Sequence, residues 1–356
     1  MASIDVFIPC YNYGRFLRQS VDSVRTQGIR ELRILIIDDA STDDSLTVAR
    51  ELAQADPRIH VIGHPQNLGH IATYNEGIDW VEADYMLLLS ADDLIAPGAL
   101  RRAIDLMEAH PRMAFVHGRH VEFKEVAGAI IPLRCVRGHY VQLKEAAGPE
   151  EGSKAGATVL SGLDFIRQCC ADVYNPVGTV TAVVRGRLQK QVGGYRPSLP
   201  HSGDFEMWLR LAAHGDVGMV HAVQGYTRIH ESNMRHQYIS GEHMVRDYRQ
   251  RLAAFEAFFA EAKGLVPELP ALAALARRRL AEEVFWDASR RFEAAGTDSV
   301  DELLALALAI DPAIARSPAW AKLRVKRVLG VRLSRFLLSL LERCRQRPPL
   351  LVGQKP

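Results

Sequence analysis

The chain has 356 residues, of which 48% are apolar and 24% are charged, and its formal net charge is +2. A chain of this length can bury a large apolar core and is long enough for two domains. The nearly balanced charge argues against a nucleic-acid-binding protein, because such proteins usually carry a large basic excess.

The cysteines and the N-terminal residues bear on the cellular compartment. Five cysteines, at positions 10, 135, 169, 170 and 344, form no pair with the spacing of a zinc or redox motif. The first residues contain no basic segment ahead of apolar ones, and no uncharged run reaches the roughly 18 residues of a membrane-spanning helix. We therefore expect a cytoplasmic protein without a secretory signal or a membrane-spanning segment.

The N-terminal third of the chain alternates between short apolar runs and segments with helical periodicity. The predicted strands are residues 4–9, 32–37, 58–62, 85–89 and 113–117. The predicted helices between them are residues 13–27, 45–53, 70–80 and 98–109. Such alternation is typical of parallel βαβ units, whose right-handed connections bring the carboxyl ends of the strands to one edge of the sheet. The sequence therefore predicts an α/β protein with a mostly parallel sheet flanked by helices.

Acidic residues follow two of these strands at the point where each strand ends. Asp38 and Asp39 come after the second strand, and Asp92 and Asp93 come after the fourth. Open α/β sheets bind their ligands at the carboxyl ends of the strands. We therefore expect Cys10, Asp39 and Asp92 to lie close together, where a metal and a phosphate could bind.

The second half of the chain has a different character. Residues 126–159 lose periodicity and are rich in glycine, which predicts a long connection that is either a lid over the active edge or disordered. Residues 204–214 predict an amphipathic helix. Beyond about residue 235 the composition favours helices throughout. We therefore predict two domains, an α/β domain over 1–235 and a helical C-terminal region over 236–356.

Four segments in this order resemble the family 2 glycosyltransferases of the GT-A fold, over roughly residues 3 to 235. They are IDVFIPCYNYGRFLRQSVDSV, ILIIDDASTDDS, NLGHIATYNEGI with YMLLLSADDLIAPGAL, and VGGYRPSLPHSGDFEMWLRLAAHG. The resemblance implies transfer of a sugar from a nucleoside diphosphate to a glycan or lipid-linked acceptor, with inversion at the anomeric carbon. The first strand is followed by PCYNYG and not by GxGxxG, which disfavours a dehydrogenase.

The resemblance also implies a divalent cation, Mn or Mg, which neutralises the diphosphate leaving group. Asp92 matches the metal-coordinating Asp of the DxD-type motif, with Asp93 beside it. The alternative is that this pair caps the following helix. Ser90 occupies the first acidic position of the motif, so a further ligand is needed. His230 matches a His that many members place near the metal, although a single His can also be structural.

The nucleotide is expected at the first two strand ends. Asp39 matches the Asp that accepts a hydrogen bond from the base, Tyr11 matches an aromatic residue near that base, and Pro9 shapes the same loop. An Asp accepts from an imide N–H, which uracil presents, so a UDP-sugar is favoured. The alternative role of Asp39 is to cap the next helix.

Asp204 matches the catalytic base, which takes the proton of the acceptor hydroxyl as the new bond forms. The preceding position, often Glu in the family, is Gly203 here. The alternative for Asp204 is a carboxylate that stabilises the start of its helix. Ser90 and Gly203 together motivate a second hypothesis, a non-catalytic sugar-nucleotide-binding module with the same fold.

Residues 318–347 predict a basic amphipathic helix. Its apolar positions recur at steps of three and four: Leu329, Leu333, Phe336, Leu337, Leu340 and Leu341. Basic residues surround them: Lys322, Arg324, Lys326, Arg327, Arg332, Arg335, Arg343 and Arg345. Such a helix can bind the surface of an anionic membrane, which would hold the protein on the inner face of the bilayer. The alternative is packing against the catalytic domain or a partner.

Overall fold

The computed structural model describes residues 2–126, 129–136, 156–233, 244–294 and 299–345. The strands are β1 (Ile4–Cys10), β2 (Leu32–Asp38), β3 (Ile59–Gly63), β4 (Tyr85–Leu88), β5 (Leu94–Ile95), β6 (Met113–Val126), β7 (Ala129–Val136), β8 (Ala157–Leu160), β9 (Val183–Arg185) and β10 (Asp216–Arg228). The helices are α1 (Gly14–Arg25), α2 (Ser45–Ala55), α3 (His70–Trp80), α4 (Ala99–Ala109), α5 (Gly162–Asp172), α6 (Gly186–Val192), α7 (Gly203–Ala212), α8 (Met244–Glu261), α9 (Leu269–Glu293), α10 (Val300–Ile310) and α11 (Pro318–Arg345).

The strands form one mixed sheet in the order β3-β2-β1-β4-β9-β6-β10-β5, with β7 paired to β6 and β8 paired to β10. β1 is parallel to β2 and β4, β2 is parallel to β3, and β6 is parallel to β10. The short β9 lies between β4 and β6 and is antiparallel to both, so the two parallel groups run in the same direction. The predicted mostly parallel α/β sheet flanked by helices is therefore confirmed.

Alternating side chains of β1 enter two apolar cores, one on each face of the sheet. Ile4, Val6 and Ile8 belong to one core, whereas Phe7 belongs to the other. This alternation follows from the two-residue period of a strand. On the Phe7 side α3 packs very closely, because a Cβ atom added at Gly77 would lie 2.3 Å from the Phe7 ring. The glycine therefore holds α3 against the sheet beside the strand ends.

The expectation of a loop over residues 126–159 is wrong at both of its ends. β7 pairs antiparallel with β6, and β8 pairs antiparallel with β10. Pro132 interrupts the apolar run of β7 and lies opposite Phe123, next to a register shift in the ladder. An edge strand tolerates proline, whereas a proline within an apolar run of the sequence argues against a central strand. The predicted lid over residues 137–155 lies outside the described residues.

The helical region packs directly onto the sheet domain. Phe205 of α7 and Phe255 of α8 form an edge-to-face pair with ring centroids 5.1 Å apart. Buried residues of α5, α7, α8, α9 and α10 all belong to the same apolar core. The domain boundary near residue 235 stays a prediction, but α8 to α10 are joined to the sheet domain by a continuous core.

The final helix, α11, has a break at Gly330, whose φ of 76° and ψ of 162° lie outside the helical region. Val325, Val328 and Leu333 are exposed on it, and 88% of Val328 is accessible to solvent. Positions 346 and 347 of the predicted amphipathic helix lie outside the described residues. In the described ranges, no helix is both long enough and apolar enough to cross a membrane.

Candidate functional site

A cleft of about 650 Å³ opens at the carboxyl ends of β1, β2 and β4. Its volume is in the range of small-molecule sites. Six of the residues predicted from the sequence line it: Pro9, Tyr11, Asp39, Ser90, Asp92 and Asp93. Cys10 lines it too, and its carbonyl accepts a hydrogen bond of 2.9 Å from the Asp39 N–H. The predicted convergence of Cys10, Asp39 and Asp92 is therefore confirmed.

Asp39 is held in the wall of this cleft by backbone donors. Its carboxylate accepts hydrogen bonds from the N–H groups of Leu68, at 2.7 Å, and Gly69, at 2.9 Å. These residues precede α3, whereas the helix that follows Asp39 in the chain is α2. The alternative role, a cap on that next helix, is therefore not the arrangement found. The two backbone donors fix the orientation of the carboxylate, which has lone pairs left to accept a further hydrogen bond from a ligand.

His64 fixes Asp39 from the other side, a contact that the sequence analysis missed. Its Nδ1 lies 2.7 Å from Asp39 Oδ1, and its Nε2 lies 2.6 Å from Glu76 Oε2. Burial acts to lower the pKa of His64, but the hydrogen bonds to the two carboxylates outweigh it and raise that pKa. The protonated ring can donate a hydrogen bond to each of the two carboxylates, so His64 and Glu76 together orient Asp39.

Asp92 meets His230 because β10 runs antiparallel to β5. Tyr226 pairs with Leu94, so the residues after β10 lie beside those before β5. Asp92 Oδ2 is 3.0 Å from His230 Nε2 and accepts a hydrogen bond of 3.2 Å from Asn233 Nδ2. The predicted pair is thus brought together, and Asn233, which the sequence analysis missed, contacts both members.

A divalent cation fits this pair of side chains. Asp92 Oδ2 and His230 Nε2, which lie 3.0 Å apart, are an oxygen and a nitrogen of the kinds that could hold Mg or Mn. In the described ranges no group of three or more His, Cys, Asp or Glu side chains is arranged to hold a metal ion. The remaining ligands would therefore have to come from a bound diphosphate and water.

Arg228 anchors the 90–93 turn from behind, although only 1% of it is exposed. Its Nε donates to the carbonyl of Asp92 and its backbone N–H to Asp93 Oδ1, both at 3.0 Å. The guanidinium lies between the rings of Phe16 and Phe123, 4.6 Å and 4.7 Å from their centroids. The N-cap of α4 is Gly98. Asp92 and Asp93 therefore do not cap this helix, which was the alternative role for the pair.

Asp204 lies in the first turn of α7 and is not among the residues that line the cleft. Its Oδ2 accepts hydrogen bonds from Asn175 Nδ2, at 3.0 Å, and Thr179 Oγ1, at 3.3 Å. Burial raises the pKa of Asp204, and the charge of His201 acts to lower it. A partly buried carboxylate with a raised pKa is suited to accept a proton near neutral pH.

α3 connects Asp204 to the cleft. Burial raises the pKa of Tyr74, and the charges of Asp204 and Asp92 raise it further. Tyr74 lines the cleft, so Asp204 influences a phenol that is part of the cleft wall. His70 Nε2 lies 2.8 Å from the carbonyl oxygen of Pro200, in the segment that leads to Asp204. Asp204 therefore lies outside the cleft lining but near Tyr74, one of the aromatic residues of the cleft.

A parallel α/β sheet with an acidic cleft at its carboxyl edge is the arrangement of nucleotide-binding proteins. Residues 5–140 match the family model for glycosyl transferase family 2. An uncharacterised glycosyltransferase of Haemophilus influenzae is 29% identical over 133 residues, which are 37% of this chain and 52% of that protein. Chondroitin synthase of Pasteurella multocida is 30% identical over 97 residues, 27% of this chain and 10% of that protein.

Among solved structures, S. aureus TarS 1–349 in complex with UDP-GlcNAc superimposes with a TM-score of 0.61. It is 15% identical, and the match covers 86% of this chain and 79% of that one, a likeness that shows the GT-A fold alone. Residues 5–140 therefore match glycosyl transferase family 2, in keeping with the resemblance found in the sequence. It spans between about half and three fifths of the length of the two uncharacterised glycosyltransferases of Haemophilus influenzae that it matches.

Proposed function

We propose that the chain is a metal-dependent, inverting glycosyltransferase that uses a nucleoside diphosphate sugar, with UDP favoured, and a glycan or glycolipid acceptor of surface polysaccharide synthesis. The observation that carries this proposal is that Asp39 and Asp92 line one cleft of about 650 Å³ at the carboxyl edge of the sheet. The family assignment supports transfer of a sugar, and the complex of TarS with UDP-GlcNAc supports a uridine nucleotide.

On the donor side, Asp39 accepts the imide N–H of the base, while Tyr11, 46% exposed at the mouth of the cleft, packs on the base. Pro9 shapes this end of the cleft, and Ser90 can bond the ribose. Asp92 and His230 would hold the cation, Mn or Mg, which when bound would neutralise the charge that develops on the diphosphate.

On the acceptor side, Asp204 takes the proton of the attacking hydroxyl. Its carboxylate is orientated by Asn175 and Thr179, and burial raises its pKa toward the working range of a general base. One base and direct displacement give inversion at the anomeric carbon. Because Asp204 lies near Tyr74, the acceptor hydroxyl would approach it along the Tyr74 side of the cleft.

The experiment is transfer by wild-type protein and by Asp204→Asn, with UDP-sugars, Mn²⁺ and lipid-linked or oligosaccharide acceptors. Loss of a general base should lower kcat about 10²- to 10⁴-fold and leave donor binding unchanged. Ser90, an uncharged residue in the acidic motif, favours the alternative of a non-catalytic sugar-nucleotide-binding module. Donor binding without turnover in the wild-type protein would support that alternative.

We further propose that α11 binds the anionic inner face of a membrane, where a lipid-linked acceptor would be found. Val325 and Val328 are exposed on this helix among basic residues, which suits the interface of an anionic bilayer. Wild-type protein should float with anionic liposomes, and Val328→Asp should float less. Equal flotation of the two, or of chains with and without residues 318–356, would contradict the proposal.

A further inference from the structure

Helix α8, in the C-terminal region, reaches the segment around Asp204 from two sides. It does so through Asp247 and Arg251, which lie one turn apart and form an ion pair of 2.6 Å. Only 17% of the Asp247 side chain and 14% of the Arg251 side chain are exposed. A largely buried ion pair is costly to desolvate and is weak evidence for stability by itself, so its other contacts are informative.

The first contact leads to His201, three residues before Asp204. Asp247 Oδ1 lies 2.9 Å from His201 Nε2, and the next turn of α8 adds a hydrogen bond of 3.2 Å from the His201 N–H to Gln250 Oε1. The charge of His201 acts to lower the pKa of Asp204. α8 therefore fixes the position of the imidazole that faces the candidate base.

The second contact leads to Asn175, which donates to Asp204 Oδ2. Arg251 Nη1 donates a hydrogen bond of 3.0 Å to the carbonyl oxygen of Val173. Val173 ends α5 in the left-handed region, with φ of 45°, a conformation that a β-branched residue rarely adopts. Asn175 follows two residues later, so Arg251 holds the turn from which the amide of Asn175 reaches Asp204.

We propose that Asp247 and Arg251 are positioning residues for the catalytic base, so that the helical C-terminal region takes part in catalysis. The inference rests on the proposed function, because it requires Asp204 to act as the base. It adds to that function a direct link from α8 to the acceptor side of the cleft.

Several charged and titratable groups of the described residues surround this link. Asp204 faces His201, Tyr74 and Tyr195, and Arg251 faces Asp247, Glu283 and Tyr248. Burial acts to raise the pKa of Asp247, but hydrogen bonds from His201 and Arg251 hold it below its ordinary value. Asp247 therefore stays a carboxylate across the neutral range, and Asn in its place removes the charge while keeping the shape.

The test compares Asp247→Asn with wild-type protein in the full chain. We expect kcat to fall by about 10- to 100-fold, because a misplaced base loses the reactive geometry. With His201 displaced, Asp204 loses an interaction that acts to lower its pKa, and the acid limb of the kcat profile should move to higher pH. Donor affinity should stay unchanged. The matched control on the same helix is Arg249→Gln, since Arg249 pairs at the surface with Glu302, at 3.1 Å.

A purely structural role makes a different prediction. If Asp247→Asn lowers the melting temperature but leaves kcat and the acid limb unchanged in folded protein, the inference is overturned. If that variant fails to fold, Arg251→Lys is the second test. Lysine keeps the positive charge beside Asp247 but lacks the second arm of the guanidinium, which donates to the Val173 carbonyl oxygen. We expect the same fall in kcat. Full activity of Asp204→Asn would overturn the proposed function as well, whereas an inactive Asp204→Asn with normal Asp247→Asn and Arg251→Lys would overturn this inference alone.

Discussion

Asp92 Oδ2 lies 3.0 Å from His230 Nε2, although 138 positions separate the two residues in the chain. The antiparallel pairing of β10 with β5 creates this contact at the edge of the cleft. An imidazole nitrogen and a carboxylate oxygen at this distance can act as adjacent ligands of one divalent cation.

Replacing His230 by Ala should therefore weaken metal-dependent donor binding. We expect the affinity for UDP in Mn²⁺ to fall at least about 10-fold, the loss that even an outer-shell partner of a metal causes. Isothermal titration calorimetry with Mn²⁺ and with EDTA measures it, and the exposed His110→Ala is the control. An equal loss of affinity in EDTA would contradict a metal-ligand role for His230.

Replacing Asp39 by Asn should weaken nucleotide binding to the same degree in Mn²⁺ and in EDTA. A hydrogen bond to a charged group contributes roughly 1.5 to 3 kcal/mol, so the affinity for UDP should fall about 10- to 100-fold in either condition. Asp105→Asn, on the exposed face of α4, is the control. If Asp39→Asn has unchanged affinity for uridine nucleotides, the uracil base does not bind at Asp39.

The contacts of His64 predict a pH-dependent stability. Its pKa is raised in the folded protein, so its contribution is fully present below the unfolded pKa of about 6.5 and is lost as pH rises through the folded pKa. The free energy of unfolding lost in His64→Gln should thus be larger at about pH 6 than at about pH 9. Urea unfolding at both pH values measures this loss, and a loss independent of pH would refute a charged His64.

Arg228 should be important for stability as well as for the site. Its buried guanidinium forms an ion pair with Glu125. Removing one member of a buried ion pair costs roughly 3 to 5 kcal/mol, so Arg228→Met should lower the free energy of unfolding by about this amount. Arg18→Met breaks an exposed pair with Glu51 and should cost no more than about 1 kcal/mol. Urea unfolding of the two variants tests the difference, and equal costs would mean that burial of Arg228 contributes nothing.

The sheet and the shared position of Asp39 and Asp92 could be predicted because both depend on local patterns. Apolar runs mark the strands, and parallel topology then brings their carboxyl ends together. β7 was missed because Pro132 interrupts its pattern, and an edge strand tolerates proline through contacts that periodicity does not record.

The supporting residues of the site could not be predicted in the same way. His64, Arg228 and Asn233 each act on a residue that is distant in sequence, so no spacing in the chain reveals them. Of these three residues, only Arg228 has a recognisable signal in the sequence, because it is a charged residue at the end of a largely apolar strand. Asp204 lies in the first turn of α7, within the helix predicted over residues 204–214, but its position near Tyr74 depends on how α3 and α7 pack.

The central claim is that one cleft binds the base, the diphosphate and the cation. Its most direct test is a crystal structure of the full chain with UDP and Mn²⁺. We predict an anomalous manganese peak bonded to both Asp92 Oδ2 and His230 Nε2, with the uracil ring against Asp39 and Tyr11. A nucleotide bound outside this cleft, or manganese bound away from Asp92, would contradict the account.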